Sequence, residues 1–273
     1  MGRNAENRDL NFLPTSGPKA AIRMKNMVVL IPTFNESFTI VEQLKKLETF
    51  RSVSKDGIRV LVIDDNSPDG TADLVDNLQL PWVQVLRRPF KAGLGAAYRA
   101  GFSKVLAEDT YTHVITMDAD GSHRVEDLPS LIAAIKPGRS ITLGTRWMPG
   151  GSVINWPKGR QWLSKTGTKY AKFALKMDLN DLTGGYRIYS VDLLNALNLK
   201  DMQATGYCFQ IEMAMAAYLA GAVATEVPIT FVERINGVSK MTKAIVIEAL
   251  IQITRWGVVR RLRPDADKLH YVK

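Results

Sequence analysis

Two carboxylates in Met117-Asp118-Ala119-Asp120 stand directly after the apolar run Thr112-His113-Val114-Ile115-Thr116. A strand ending in Asp-x-Asp delivers both acids to the carboxyl edge of a sheet, and side-chain alternation sends them to the same side of the backbone. Two converging like charges raise each other's pKa unless something positive lies between them. A divalent cation is the usual answer, and hard oxygen ligands with room for substrate phosphates point to Mg2+ or Mn2+. In isolation, an Asp-x-Asp is more often a turn or a helix cap, so the rest of the chain has to decide.

The elements that must position this pair follow from the pattern of apolar runs. Strands are expected at residues 27–31, 59–63, 82–86, 113–117 and 140–144, with helices at 37–50, 71–78, 95–107 and 125–135 between them. Strand and helix in alternation, with β-branched residues in the strands, predict a mainly parallel α/β sheet covered by helices on both faces. In such a sheet ligands bind beyond the carboxyl ends of the strands. Those ends read Pro32-Thr33-Phe34-Asn35-Glu36, Asp64-Asp65-Asn66-Ser67, Arg87-Arg88, Asp118-Ala119-Asp120 and Thr145-Arg146, five polar segments on one rim. Of Asp64 and Asp65, one is expected to cap the following turn and the other to take a ribose hydroxyl or base N–H. Gly93-Leu94-Gly95 lacks the third glycine of a dinucleotide fingerprint and reads as a turn with close helix packing.

After Arg146 the rhythm changes. Residues 147–158, rich in Gly and Pro, predict a mobile loop. Helices are expected at 160–177 and 206–219, a late strand at 225–231, and a last helix at 240–263. The domain reading is a flexible polar arm over 1–25, a catalytic domain over 26–239, a membrane-proximal helix over 240–263 and a tail over 264–273.

Composition narrows the class of protein. The 273 residues are 46% hydrophobic and 23% charged, as in a globular protein with a sizeable core. The single cysteine, Cys208, excludes an internal disulfide and a cysteine-based metal cluster, and it suits a reducing cytosol. A net charge of +9 calls for an anionic partner: nucleic acid, a membrane face or a phosphorylated substrate. No nucleic-acid motif accompanies the basic residues, so no nucleic acid is expected. The first twenty residues have no apolar leader core, and Glu6 breaks the myristoylation pattern. No uninterrupted apolar run reaches spanning length.

Taken in order, Pro32-Thr33-Phe34-Asn35-Glu36, the segment Ile63 to Thr71, Asp118-Ala119-Asp120 and Gly144-Thr145-Arg146 resemble the family 2 glycosyltransferases of GT-A fold. The later segments Asp181-Leu182-Thr183-Gly184-Gly185-Tyr186-Arg187, Gly206 to Met213 and Phe231 to Lys240 look like those of polyprenol (dolichyl) phosphate mannosyltransferases. The resemblance spans residues 27–240 and is specific as a set. It implies a Rossmann-like sheet and transfer of mannose from GDP-mannose to a polyprenyl monophosphate. It also implies that Pro32, Phe34, Glu36, Ile63 and Asp65 hold the guanosine, with Phe34 where many relatives have tyrosine. Asp118, Ala119 and Asp120 would meet the diphosphate and sugar, Asp120 as direct metal ligand. Ser122 occupies the place of a glutamine that is a second ligand in some relatives, and its shorter side chain leaves metal ligation open. Arg146, Arg234 and Lys240 would bind donor or acceptor phosphates. Arg146, Arg160 and Ser164 would grip the acceptor phosphate, Arg160 and Ser164 lying four apart on one helix face. Roles for Asp181, Gln210 and Glu212 stay open.

The chemistry is consistent with that set. A lipid monophosphate is already an anionic nucleophile, so no strong general base is required. His123 is accordingly read as supporting or solvated rather than catalytic. In-line displacement predicts inversion, from an α-linked donor to a β-mannosyl phosphate. The closing helix combines Ile245, Val246, Leu250, Ile251 and Trp256 with Lys243, Arg255, Arg260 and Arg261. It is expected to be amphipathic, either lying in a bilayer interface or packed on the domain. Recruitment to the cytosolic face of a membrane would use this helix, basic faces or an integral membrane partner. Two alternatives stand beside this reading: a different nucleotide sugar such as UDP-glucose or a UDP-amino sugar, and an inactive membrane-surface binding module.

Overall fold

A computed structural model describes residues 26–204, 206, 208–233, 243–263, 268 and 270–273. The expected arm over 1–25, the bases Arg234 and Lys240, and most of 264–269 lie outside the described residues.

The first half of the chain builds four β/α units: β1 (Asn26–Thr33), α1 (Ile40–Val53), β2 (Gly57–Asp64), α2 (Thr71–Asn77), β3 (Val83–Arg87), α3 (Leu94–Glu108), β4 (His113–Thr116) and α4 (Leu128–Ala133). The strands pair parallel in the order β3-β2-β1-β4. Alternation along β1 feeds two cores. Val28 and Leu30 join Tyr98 and Phe102 of α3 on one face, while Val29 and Ile31 meet Ile40 and Leu44 of α1 on the other. Burial on both faces is what makes these strands continuous apolar runs. The first helix starts at Ile40 rather than at residue 37. Backbone N–H groups of Asn35, Glu36 and Ser37 instead donate to side chains of Ser67, Thr71 and Asp69, lacing the loops after β1 and β2 together.

The sheet continues with β5 (Ser140–Thr145), β7 (Arg187–Ser190) and β8 (Val223–Pro228), giving the order β3-β2-β1-β4-β7-β5-β8. β7 is absent from the sequence reading. It runs antiparallel between β4 and β5, with Thr116 opposite Arg187. Four residues carry too little periodicity to mark it, yet its direction matters: the chain enters β7 from the rim where β4 and β5 end. A short helix, α6 (Val191–Ala196), also unforeseen, follows it.

Two further expectations change. The loop over 147–158 contains β6 (Ser152–Ile154), which pairs parallel with β9 (Thr230–Val232), and it buries Trp156. The late strand is therefore two strands, β8 in the main sheet and β9 in a second small sheet beside the rim. The remaining helices are α5 (Lys158–Leu175), α7 (Cys208–Leu219) and α8 (Lys243–Leu262).

Close approach at two glycines explains how helices meet. A Cβ at Gly95 would clash with the Ala204 carbonyl oxygen and lie against Phe209, so Gly93-Leu94-Gly95 serves a turn and packing. A Cβ at Gly257 of α8 would lie 2.7 Å from the Ala174 carbonyl oxygen of α5. Gly257→Val is expected to pry α8 off α5 at a cost of roughly 1–3 kcal/mol, the range for overpacking. A melting temperature lowered by several degrees checks it; an unchanged melting temperature rejects the contact.

Candidate active site

Asp118 and Asp120 follow β4 on the rim. Asp120 is held from one side: the Ser122 N–H donates to its Oδ1 at 3.1 Å, and the Ser122 hydroxyl donates to the same oxygen. Ser122 is itself buried and orients the carboxylate. Asp118 is organised by His123. The Asp118 N–H donates to His123 Nδ1 at 3.0 Å, which makes Nδ1 the acceptor and leaves the ring proton on Nε2. Nε2 faces Asp118 Oδ2 at 3.7 Å. The ring stacks on Tyr186 with centroids 4.9 Å apart and meets the edge of Phe231. His123 is thus buried, not solvated, and it braces the acidic pair.

Asp64 and Asp65 divide their labour as follows. Asp64 accepts from Thr33 Oγ1, from Ser67 N at 2.9 Å and from Ser67 Oγ at 2.6 Å, so it is the turn former. Asp65 lies beyond the strand end, ion-paired with Arg88 from the end of β3. Pro32, Phe34, Glu36 and Ile63 stand on the same two adjacent strand ends. Phe34 is half-buried with Lys91 Nζ 4.0 Å over its ring.

The antiparallel entry into β7 supplies what the sequence left open. Asp181 is completely enclosed and takes a bidentate pair from Arg146, Nε to Oδ2 at 2.6 Å and Nη2 to Oδ1 at 2.9 Å; Arg146 Nη2 also donates to Thr183 Oγ1. Burial alone would push the Asp181 carboxyl up, but the Arg146 charge and hydrogen bonds hold it below its ordinary value. Arg187, fully buried, donates to the carbonyl oxygens of Leu182, Gly184 and Gln210 and so fixes the Gly184-Gly185 turn against α7. Glu212 bridges the Ala204 N–H and the Tyr271 hydroxyl at 3.0 and 3.2 Å, and burial pushes its carboxyl up. Burial also pushes the Cys208 thiol up to about 11, far from a reactive thiolate.

Arg160 and Ser164 line the same pocket, with separate partners. Arg160 Nη1 donates to Glu233, and its guanidinium lies 4.3 Å over the Trp156 ring. Ser164 accepts from Trp147 Nε1 at 3.2 Å. Glu233 lies in the segment Phe231 to Lys240 but had no role in the sequence reading, since its place one residue past a three-residue strand does not reveal its partner.

These side chains surround a cavity of about 370 Å³. Its lining includes Asp118, Asp120, Arg146 and Arg160 together with Leu163, Tyr170 and Ile211 and with Val246, Leu250 and Ile253 of α8. Charged and apolar side chains share one space. Among the described residues no group of three or more His, Cys, Asp or Glu side chains forms a metal cage. The donor set fits a divalent ion held by one or two carboxylates, with substrate phosphates and water completing its shell.

A mostly parallel sheet with its acidic pair after the fourth strand is the architecture of a nucleotide-sugar transferase of GT-A fold, and residues 28–197 match glycosyl transferase family 2. The chain belongs to that family. Over 238 residues it is 42% identical to polyprenol monophosphomannose synthase of Mycolicibacterium smegmatis, covering 86% of this chain and 88% of the relative. It is 43% identical over 237 residues to undecaprenyl-phosphate mannosyltransferase of Micrococcus luteus, covering 86% and 95%. Among solved structures, mannosyl-3-phosphoglycerate synthase of Rubrobacter xylanophilus superposes with a TM-score of 0.62 at 18% identity, covering 89% of this chain and 75% of that one. Glucosyl-3-phosphoglycerate synthase of Mycobacterium tuberculosis, solved with Mn2+, UDP and phosphoglyceric acid, gives 0.61 at 17% identity, covering 87% and 78%. At such identity these two structures speak for the fold alone.

Proposed function

We propose that this chain transfers mannose from GDP-mannose to a polyprenyl monophosphate, with inversion, giving a polyprenyl-phosphate β-mannose. The observation that carries this reading is one cavity lined both by acidic and basic side chains and by apolar side chains of α5 and α8. A lipid phosphate has that same division of character. The two mannosyl-transferring relatives agree with it in name.

In the reaction, an acceptor phosphate oxygen forms the bond to the anomeric carbon as the bond to the GDP oxygen breaks, its electron pair leaving with the diphosphate. Attack from the opposite face inverts the centre. Asp118 and Asp120 face the sugar that becomes transiently cationic, and Arg160 neutralises the entering phosphate. Arg146, with its charge already matched by Asp181, shapes the cavity. Mg2+ or Mn2+ would be held by Asp120, with Ser122 orienting that carboxylate, and would neutralise the leaving diphosphate. Pro32, Phe34, Glu36, Ile63 and Asp65 would receive the guanosine, and Arg234 and Lys240 the phosphates.

No helix of the described residues is long and apolar enough to cross a membrane. Exposed Trp162 and Phe173 of α5 and Ile247, Ile251 and Leu262 of α8 lie on the helices that line the cavity. Such exposed apolar side chains suit peripheral attachment to a lipid surface, here the cytosolic face, beside the acceptor's own bilayer.

Radiolabelled donors offered with polyprenyl phosphate and Mg2+ or Mn2+ test the reading. Transfer from GDP-mannose, abolished by chelator, is expected. Transfer from UDP-sugars alone would replace the donor, and lack of transfer from any donor would leave only a lipid-binding module.

A further inference from the structure

The two arginines of the cavity are paired very differently. Arg146 meets Asp181 as fork to fork, through Nε and Nη2, and a third bond goes to Thr183. Its side chain and that of Asp181 are 6% and 0% exposed. Arg160 instead directs a single nitrogen, Nη1, at both oxygens of Glu233, while its buried Nε has no hydrogen-bond partner among the described residues. The Arg160 and Glu233 side chains are 18% and 19% exposed. A buried N–H left unpaired beside a carboxylate that crowds onto one donor marks a poorly matched pair. A phosphate monoester, with three oxygens and close to two negative charges near neutral pH, matches a guanidinium better than this carboxylate does.

We infer that Glu233 is an exchangeable stand-in for the acceptor phosphate, occupying Arg160 in the unloaded enzyme and leaving it when a lipid phosphate arrives. This rests on the acceptor reading given above and adds a residue that determines specificity. Only a ligand whose head group outcompetes a carboxylate gains Arg160; an unphosphorylated prenol does not. The displaced side chain has polar space to enter, because Glu233 also lines a neighbouring cavity of about 330 Å³ where Asp120 stands with two ion pairs, Lys46 with Glu42 and Arg124 with Glu126. Arg146 makes no such exchange, since release from Asp181 would strand a fully enclosed carboxylate.

The test uses the full chain and a short-chain prenyl monophosphate, with binding measured by calorimetry without donor and acceptor KM measured with GDP-mannose. Glu233→Gln removes the competing charge. Tighter binding and a lower acceptor KM, each by about fivefold, are expected, the upper end for a partly exposed ion pair. Unchanged or weaker binding overturns the exchange and makes Glu233 a clamp that positions Arg160. If Glu233→Gln does not fold, Glu233→Asp, with shorter reach, decides by the same sign. Binding by neither wild type nor variant means that the acceptor reading has failed, and the exchange with it.

Discussion

Asp120→Asn is expected to lower mannosyl transfer by about three orders of magnitude while leaving the fold intact. The substitution keeps the size of the side chain and its acceptor oxygen for Ser122, so the turn after β4 survives. What it removes is the negative charge, and with it the proposed anchor for a divalent ion and the field that would favour a cationic sugar. Losing one preorganised electrostatic partner of a transition state costs about 10²–10³ in rate, and loss of metal affinity adds to that. The measurement is kcat across a Mn2+ titration, with circular dichroism as the fold control. A loss below about tenfold at saturating metal would remove Asp120 from the chemistry. Asp118→Asn is a useful companion, because Asp118 is organised by His123 rather than by Ser122.

Asp181→Asn is expected to act on stability first. It leaves the Arg146 guanidinium enclosed without a counter-charge, a change that typically costs about 3–5 kcal/mol. For a chain of this size that corresponds to a melting temperature lowered by roughly 10 °C. The pH dependence has a definite sign. The Asp181 carboxyl is held below its ordinary value in the fold, so its contribution is complete above the unfolded pKa and is lost as pH falls through the folded one. Wild type should therefore lose stability on acidification more steeply than Asp181→Asn. Thermal melts between neutral and strongly acid pH check this; parallel curves would mean that the pair contributes nothing. Replacing both partners with apolar residues, Arg146→Met with Asp181→Leu, should recover much of the lost stability, since a buried pair is costly mainly when it is broken.

The two predictions draw on unequal shares of the sequence. Asp120 is readable from the chain alone, because a strand end, a carboxylate and one intervening residue are local features. Pro32 to Glu36 and Asp64-Asp65 are readable as strand ends for the same reason: they follow long apolar runs whose burial on both faces fixes β1 and β2, while the guanosine role proposed for them comes from the family resemblance. Asp181 is legible only as an acid ahead of a Gly-Gly turn. Its partner lies 35 positions away, and no periodicity joins them.

Glu233, Thr183 and the Gly184-Gly185 turn show the same limit. They reach the site through β7, a four-residue strand running against its neighbours, and through β9, a three-residue strand in a second sheet. Strands so short carry almost no pattern of their own, and their pairing is decided by the neighbours they complete. Arg160 and Ser164 are legible as one helix face but not as separate contacts, because Glu233 and Trp147 come from distant segments. The last helix is legible as apolar on more than one side. Only packing assigns Ile253 and Trp256 inward and Ile247 and Ile251 outward.

By itself, then, the sequence determined the α/β alternation, the acidic rim and the family, because those depend on period, strand ends and local chemistry. The tertiary structure alone decided which charges are enclosed in matched pairs and which are partly exposed and poorly matched. It also brought the charged side chains and the apolar side chains of α5 and α8 around one cavity. The physical reason is that burial and partner geometry set the value of a charge, and both arise only when distant segments meet.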